Sequence, residues 1–302
     1  MTRPRRARRS QLSVPGSSEK MLEKGAASLA DHVFCDLEDA VAPAAKVEAR
    51  NKIAWALNNL DWGRKTRCVR INDVTTEWCH GDIIEIVEKA GANVDTIMLT
   101  KPFSAADVVF LDRMLLQLEK KLKLEKQIGI EVLIEEVQAL QNVEEISRSS
   151  SRLECLIFGM GDYSGSQGID TRDIGGDGGY PGDIFHYARW RITMAARAAG
   201  IDAVDGPYAN FKSESGYREE AKRAKALGMV GKWAIHPSQI APAIDVFSPD
   251  AEEVARARKM RSAYYEAEAR GLGAVQVDGV MVDVAVLRLV KNTLDRADLY
   301  GM

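Results

Sequence analysis

The sequence predicts an α/β protein, a (β/α)8 TIM barrel followed by a C-terminal helical extension. Two observations lead there: eight short β-rich runs alternate with amphipathic helical stretches, and reactive polar side chains stand at the C-terminal ends of many different runs. Such alternation requires parallel strands joined by crossovers. A doubly wound open sheet would gather its polar chemistry near one switch point, whereas a barrel distributes it around one face. At 302 residues the chain has room for one such barrel and a small appendage.

Taken in order, strands are expected over residues 11–15, 32–39, 67–72, 96–101, 128–135, 153–159, 202–207 and 232–237. Helical patterns fill 17–29, 46–60, 82–90, 105–122, 137–147, 181–199 and 215–227. Several open on a cap-forming serine (Ser17, Ser104, Ser213) and several close at glycine (Gly91, Gly200, Gly228). After 240–247 the alternation stops. A helix over 251–270, a glycine-rich link at 271–273, an extended piece at 274–278 and a last helix near 282–299 complete the chain. The barrel is therefore assigned to 1–248, with a basic arm over 1–9, and a helical lid to 249–302. Having no barrel position left, the lid must pack under the barrel or on a neighbouring subunit.

Composition narrows the function. A net charge of −3 argues against bulk nucleic-acid binding but permits a local anion site. Five arginines stand among the first nine residues with no apolar run behind them, so the segment is no secretory signal and reads as a solvated basic arm. Four cysteines without CxxC spacing predict reduced, buried thiols in a cytoplasmic protein. No apolar run approaches the ~20 residues needed to span a bilayer.

The strand ends carry many carboxylates, one arginine, one lysine and one histidine. Burying so many charges is costly unless they are paired or hold a metal. Oxygen ligands with few His or Cys favour a hard cation, Mg²⁺ or Mn²⁺, and Glu135 and Asp162, ending adjacent strands, are the metal candidates. Either could instead cap a loop or pair with an arginine. Strand alternation points Glu131 into the barrel below Glu135, where a structural salt bridge is expected. Arg70 stands in an apolar setting where a guanidinium could stabilise an enolate or thioester oxygen, or pair with Glu38 or Glu131. Backbone N–H groups around Gly159–Asp162 could hold a substrate carboxylate. His236 reads as structural. The segment 175–182 (GGDGGYPG) lacks a phosphate-loop lysine and reads as a loop over the site.

Together these positions form recognisable motifs. RSxLxVPGS at 9–17, DLEDAVAP at 36–43, VRIN at 69–72, LIE at 133–135, FGxxDY at 158–163, DGP at 205–207 and GKWAIHPSQ at 231–239 occur in order. SPxxEEVAxAR from Ser248 and DGVMVD at 278–283 follow. The set resembles the citrate lyase β-subunit/HpcH-type aldolase superfamily over nearly the whole chain. NNLDWG at 58–63, NVEEI at 142–146 and GKWAIHP are most similar to its malyl-CoA lyase branch.

The resemblance implies a carbon–carbon lyase cleaving malyl-CoA-type thioesters to a 2-oxoacid and acetyl- or propionyl-CoA, with Glu135 and Asp162 binding Mg²⁺. It gives Arg70 the thioester or enolate oxygen and makes Asp283, reaching in from a neighbouring subunit of a homotrimer or homohexamer, a proton-transfer group. Glu38 and Asp39 would support the metal's water or Arg70. Arg9, Lys20 and Lys24 match basic positions near the CoA phosphates, and Gly161 and Pro237 are the remaining substrate-side positions. Met160-Gly161, Thr100 and a shortened loop over 174–187 depart from the family pattern and are expected to line the 2-oxoacid pocket and its lid. A malyl-CoA thioesterase on the same scaffold and a non-catalytic CoA-binding subunit are the competing readings. Nucleic-acid and membrane partners are not expected.

Overall fold

The computed structural model describes residues 3–169 and 182–302. Most of the glycine-rich segment 175–182, and of the loop 174–187 around it, lies outside them. Eight parallel strands follow one another around the sheet: β1 (Ser10–Pro15), β2 (His32–Asp36), β3 (Thr66–Arg70), β4 (Thr96–Leu99), β5 (Gly129–Ile134), β6 (Leu153–Phe158), β7 (Asp202–Val204) and β8 (Lys232–Ala234). Sheet order runs in sequence from β7 back to β1, which pairs with β8. The last seam closes through Asp205, whose N–H bonds Gly231 O at 2.9 Å and whose carbonyl accepts the Trp233 N–H at 3.0 Å. The expected barrel forms.

Helices α1 (Glu19–Ala27), α2 (Lys46–Asn59), α3 (Cys79–Ala90) and α4 (Ala105–Leu122) return the chain from strand to strand. The single helix expected over 137–147 divides at Asn142 into α5 (Val137–Gln141) and α6 (Val143–Ile146). Short α7 (Met160–Gln167) follows β6, and α8 (His186–Ala199), α9 (Glu214–Ala226) and α10 (Ile240–Phe247) complete the ring. Outward strand residues such as Val33, Val69, Ile97 and Ile130 pack with these helices as the main core. Phe34, Cys68, Met98, Leu133, Cys155, Ile157, Val204 and Trp233 fill the barrel interior. All four cysteines are free and buried.

The N-terminal arm is not the solvated tail its composition suggests. Arg8 is almost wholly buried in the barrel, ion-paired to Glu131, to Glu154 at 2.9 Å and to Asp202 at 3.4 Å. Glu131 also accepts His32 and Thr96 at 3.0 Å each. Buried charge survives only when paired in this way, and the structural salt bridge expected of Glu131 is present. Burial pushes the Glu131 carboxyl up, yet Arg8 and His32 outweigh it and hold it well below the usual carboxylate range.

Beyond the barrel lie α11 (Ala251–Glu268), strands β9 (Val275–Val277) and β10 (Val280–Val282), and α12 (Val284–Tyr300). The extended piece is a hairpin whose tip, Asp278-Gly279, has positive φ at both residues (49° and 81°), matching a type I′ turn. Val254, Met260, Tyr264, Val282 and Leu294 give this unit its own apolar cluster. Its far end meets the barrel floor, where Tyr300 lies under the Arg9 guanidinium at 4.1 Å. Among the described residues no helix is long and apolar enough to cross a membrane.

Candidate active site

Strand β2 ends at Asp36 because its carboxylate accepts the N–H groups of Glu38 at 2.9 Å and Ala40 at 3.0 Å, curling the chain into a turn. The expected strand over 32–39 is shorter for that reason. Asp36 also faces Arg70 at the end of β3, taking Nε at 2.7 Å and Nη2 at 2.6 Å in a bidentate pair. Arg70 Nη1 reaches Glu38 at 2.9 Å and Asp39 at 3.7 Å. Below it lie the Phe34 and Trp233 rings, with centroids 5.7 and 5.6 Å from Cζ, a favourable seat for a guanidinium. Burial alone would lower the arginine's pKa, but Asp36, Glu38 and Glu135 outweigh it, so the charge is permanent.

The turn after β2 is held from behind. Lys46 donates to the carbonyls of Leu37 at 2.8 Å and Glu38 at 2.7 Å and to Asn72 Oδ1 at 2.6 Å. Asn72 in turn bonds Asp82, which Arg50 anchors at 2.8 Å. Each polar group is satisfied, as burial demands.

Lys101, just past β4, joins the two halves of the site. Its φ of 46° is unusual for a residue with a Cβ and costs of order 1–3 kcal/mol. The strained turn aims its N–H at Glu135 Oε1 (2.9 Å) while the ammonium pairs with Glu38 and approaches Asp39 at 3.5 Å and Asp162 at 3.9 Å. Glu135 fits only because residue 159 is glycine: a Cβ there would stand 2.5 Å from Glu135 Cβ and 2.7 Å from Oε2. Asp162 lies in the first turn of α7, half-exposed.

Among the described residues, Asp36, Glu38, Asp39, Glu135 and Asp162 thus converge on only Arg70 and Lys101. Burial, then repulsion from Glu38 and Asp162, drives the Glu135 carboxyl well above its ordinary range despite Lys101 and Arg70. Burial likewise pushes Glu38 up to about 7 against the pull of Arg70. Asp39 stays lowered, its hydrogen bond from Glu38 and the charges of Arg70 and Lys101 overcoming burial. Excess negative charge on an all-oxygen donor set fits a hard divalent cation, and Glu135 and Asp162 are the two carboxylates of the set without an ion pair to Arg70. A second cluster, His32, Cys68 and Glu131, offers mixed donors inside the barrel. Glu131 Oε1 already takes Arg8, Thr96 and His32 there, and Arg8 balances its charge, so that cluster reads as structural.

Arg70, Glu38, Asp39, Glu135 and Asp162 are therefore brought together as expected. Gly161 sits beside Asp162 in the first turn of α7, where helix N–H groups lack intrahelical partners. Pro237 is exposed past β8, next to His236, whose Nδ1 accepts the Ser238 N–H and whose ring stacks on Phe211. Lys20 and Lys24 are exposed on α1, which starts at the same face.

Two expectations need correction. Arg9 precedes β1, and six strand residues at about 3.3 Å each place it roughly 20 Å from the carboxylate face. There it is bound bidentately to Asp31 and donates to Ser248 Oγ at 2.9 Å, so it and Lys20 lie at opposite ends of β1. Among the described residues Thr100 and Met160 present no open surface to a pocket: both are fully buried, Thr100 donating to Ile71 O at 3.1 Å and Met160 packing in the main core. Asp283 caps α12 by accepting the Ala285 and Val286 N–H groups at 3.0 Å and, among the described residues, pairs with no member of the carboxylate cluster.

Residues the sequence reading left without a role are Asp36, Lys101 and Lys46. The DLED run names Asp36, but only the β2–β3 register, which sets Asp36 beside Arg70, shows it as the clamp.

Comparison with known proteins places this geometry among relatives. The family model for HpcH/HpaI aldolase/citrate lyase matches residues 9–237. An L-malyl-CoA/β-methylmalyl-CoA lyase of Cereibacter sphaeroides is 41% identical across 98% of this chain and 96% of its own. A (3S)-malyl-CoA thioesterase of the same species is 34% identical across 96% and 94%. The crystal structure of CitE from Mycobacterium tuberculosis in complex with magnesium, acetoacetate and coenzyme A superposes with a TM-score of 0.76 at 30% identity, covering 97% of this chain and 98% of that one.

Proposed function

From a chain that belongs to the HpcH/HpaI aldolase/citrate lyase family, we propose an enzyme that cleaves the carbon–carbon bond of short 3-hydroxyacyl-CoA thioesters of the malyl-CoA type. It releases a 2-oxoacid and acetyl- or propionyl-CoA and uses Mg²⁺, with Mn²⁺ an acceptable substitute. The observation that carries the reading is the Asp36-clamped Arg70 beside an over-acidic ring of oxygen donors.

Glu135 and Asp162 would hold the cation, supplying a Lewis acid and a template for the 2-oxoacid half. Cleavage leaves a thioester enolate, and Arg70 is the permanent cation aimed to stabilise its oxygen. Asp36 fixes that guanidinium through Nε and Nη2, while Nη1 reaches Glu38. Glu38 and Asp39 share Arg70 and Lys101 and set the charge of the ring. The free N–H groups at the start of α7, Gly161 among them, would take the substrate carboxylate. Lys20 and Lys24, exposed beside the face, are the basic residues placed for CoA phosphates, with Pro237 on the rim.

Protonation of the enolate is assigned to Asp283 of a neighbouring copy, the 249–302 unit acting as its lid. That role demands an oligomer, for which we propose a homotrimer or homohexamer, acting in the cytoplasm. The 34% identical thioesterase supports a second reading, hydrolysis of the thioester on the same residues. Incubating the protein with malyl-CoA and Mg²⁺ and following products by mass spectrometry separates them. Glyoxylate plus acetyl-CoA, lost on chelation and in Asp162→Ala, is the expected result. Malate plus free CoA would replace lyase by thioesterase. CoA binding with no turnover would leave only a carrier role.

A further inference from the structure

Two cavities lie at the opposite end of the barrel from the carboxylate cluster, between its floor and α12. They measure about 570 and 580 Å³ and share Arg5, Arg6, Leu299 and Tyr300. The first is lined by six cations and three carboxylates. All three carboxylates already have cations: Glu154 has Arg6 and Arg8, Asp202 has Arg8, and Asp295 has Lys291 at 2.5 Å.

The remaining five cations are held differently. Arg3 donates to the carbonyls of Ser151 and Ala199, Arg5 to Asp295 O, Arg197 to Gly228 O, Lys225 to Ser248 O and Arg296 to Asn292 O. Among the described residues none has a carboxylate within ion-pair distance. Neutral carbonyls fix the side chains in place without cancelling their charge. The result is a pre-organised positive wall around a concave space, in a protein whose net charge is −3. A cleft lined by one sign of charge focuses the field onto small counter-ions, and arginines in fixed orientation match phosphoryl oxygens.

We propose that this cavity binds a small polyanion with two or more linked phosphoryl groups, at a site separate from the carbon–carbon chemistry. A concave volume of this size suits a small ligand better than an extended nucleic acid. Inorganic oligophosphate and a nucleoside polyphosphate share the recognised chemistry. They differ in whether a base gains contact with apolar members of the wall such as Tyr300, Leu299 and Ile201.

The test is calorimetric titration of the full chain, without added metal, with tripolyphosphate, with ATP and with sulfate. Wild type is compared with Arg197→Gln/Arg296→Gln and with Asp162→Ala. Saturable binding of tripolyphosphate or ATP, weak binding of sulfate and a salt-dependent affinity are expected. The double variant should bind roughly tenfold more weakly or worse, the loss expected for charge-assisted contacts, while Asp162→Ala should bind as wild type does. Equal affinity for tripolyphosphate and ATP would identify phosphate alone as the ligand, and tighter ATP a nucleotide. If the double variant melts early, Lys225→Gln alone carries the same expectation in a smaller degree. Absence of saturable binding, a loss caused by Asp162→Ala instead, or a preference for a single-stranded oligonucleotide would each overturn the proposal. None of these readings depends on turnover, so failure here is distinct from failure of the lyase assignment.

Discussion

Replacing Asp36 with asparagine tests whether Arg70 depends on an imposed orientation. Asp36 is fully buried and accepts four hydrogen bonds, two from Arg70 at 2.6 and 2.7 Å and two from the turn N–H groups at 2.9 and 3.0 Å. An amide of the same shape retains one acceptor oxygen and turns the other position into a donor. Each carboxylate oxygen serves one Arg70 N–H and one turn N–H, so a donor then faces a donor at both, and Glu38 at 2.9 Å becomes the guanidinium's nearest remaining carboxylate. Stripping a buried ion of its partner costs about 3–5 kcal/mol. Because Glu38 remains, the lower end of that range is expected, about 3 kcal/mol. The urea midpoint should fall without a change in the slope of the transition. The rate should suffer as well, since a displaced oxyanion donor lowers kcat about 10²–10³-fold, with KM for the thioester little altered because the lost contact belongs to the transition state. Circular dichroism in urea and steady-state kinetics on malyl-CoA measure both. A variant within about threefold of wild-type kcat, with an unmoved midpoint, would refute the clamp.

Gly159→Ala should be severe for so small a change, because its Cβ would meet Glu135 at 2.5 Å. Overpacking of this kind costs about 1–3 kcal/mol, and Mg²⁺ activation should shift to higher metal concentration as Glu135 is pushed aside; an unshifted Mg²⁺ titration would contradict the placement. Asp95 offers a pH test away from the site. Burial pushes its carboxyl up, but Arg67 and Lys126 overcome this and lower it to about 2. A lowered carboxylate contributes stability that is present above its unfolded pKa and lost as pH falls through the folded value. Wild type should therefore exceed Asp95→Asn by about 1 kcal/mol at neutral pH, after discounting for solvent screening, and the gap should close between about pH 4 and pH 2. Parallel urea midpoints across that window would contradict it.

Much of this architecture was legible in the chain because its signals are local. Eight strand runs, serine caps and terminal glycines specify alternation without reference to neighbours, and strand parity alone sent Glu131 and Glu135 to the interior. The carboxylate ring was readable for the same reason, since its members end successive strands. What escaped depends on register or on distant segments. Asp36 becomes the Arg70 clamp only through β2–β3 pairing. Lys101 enters the cluster through a left-handed turn that its sequence does not announce. Arg8 looked like one more charge in a basic arm, because its partners Glu131, Glu154 and Asp202 are more than a hundred residues away. Arg9 was misplaced because a motif records residue order but not which end of a strand a side chain occupies.

The cation site is tested most directly by anomalous diffraction from crystals soaked in Mn²⁺, for wild type and Asp162→Ala. One peak bonded to carboxylate oxygens of both Glu135 and Asp162, with the Lys101 ammonium turned away from Asp162 and the peak lost in the variant, is the predicted result. A peak at His32, Cys68 and Glu131, or none between Glu135 and Asp162 at saturating Mn²⁺, would contradict the metal assignment and the lyase mechanism built on it.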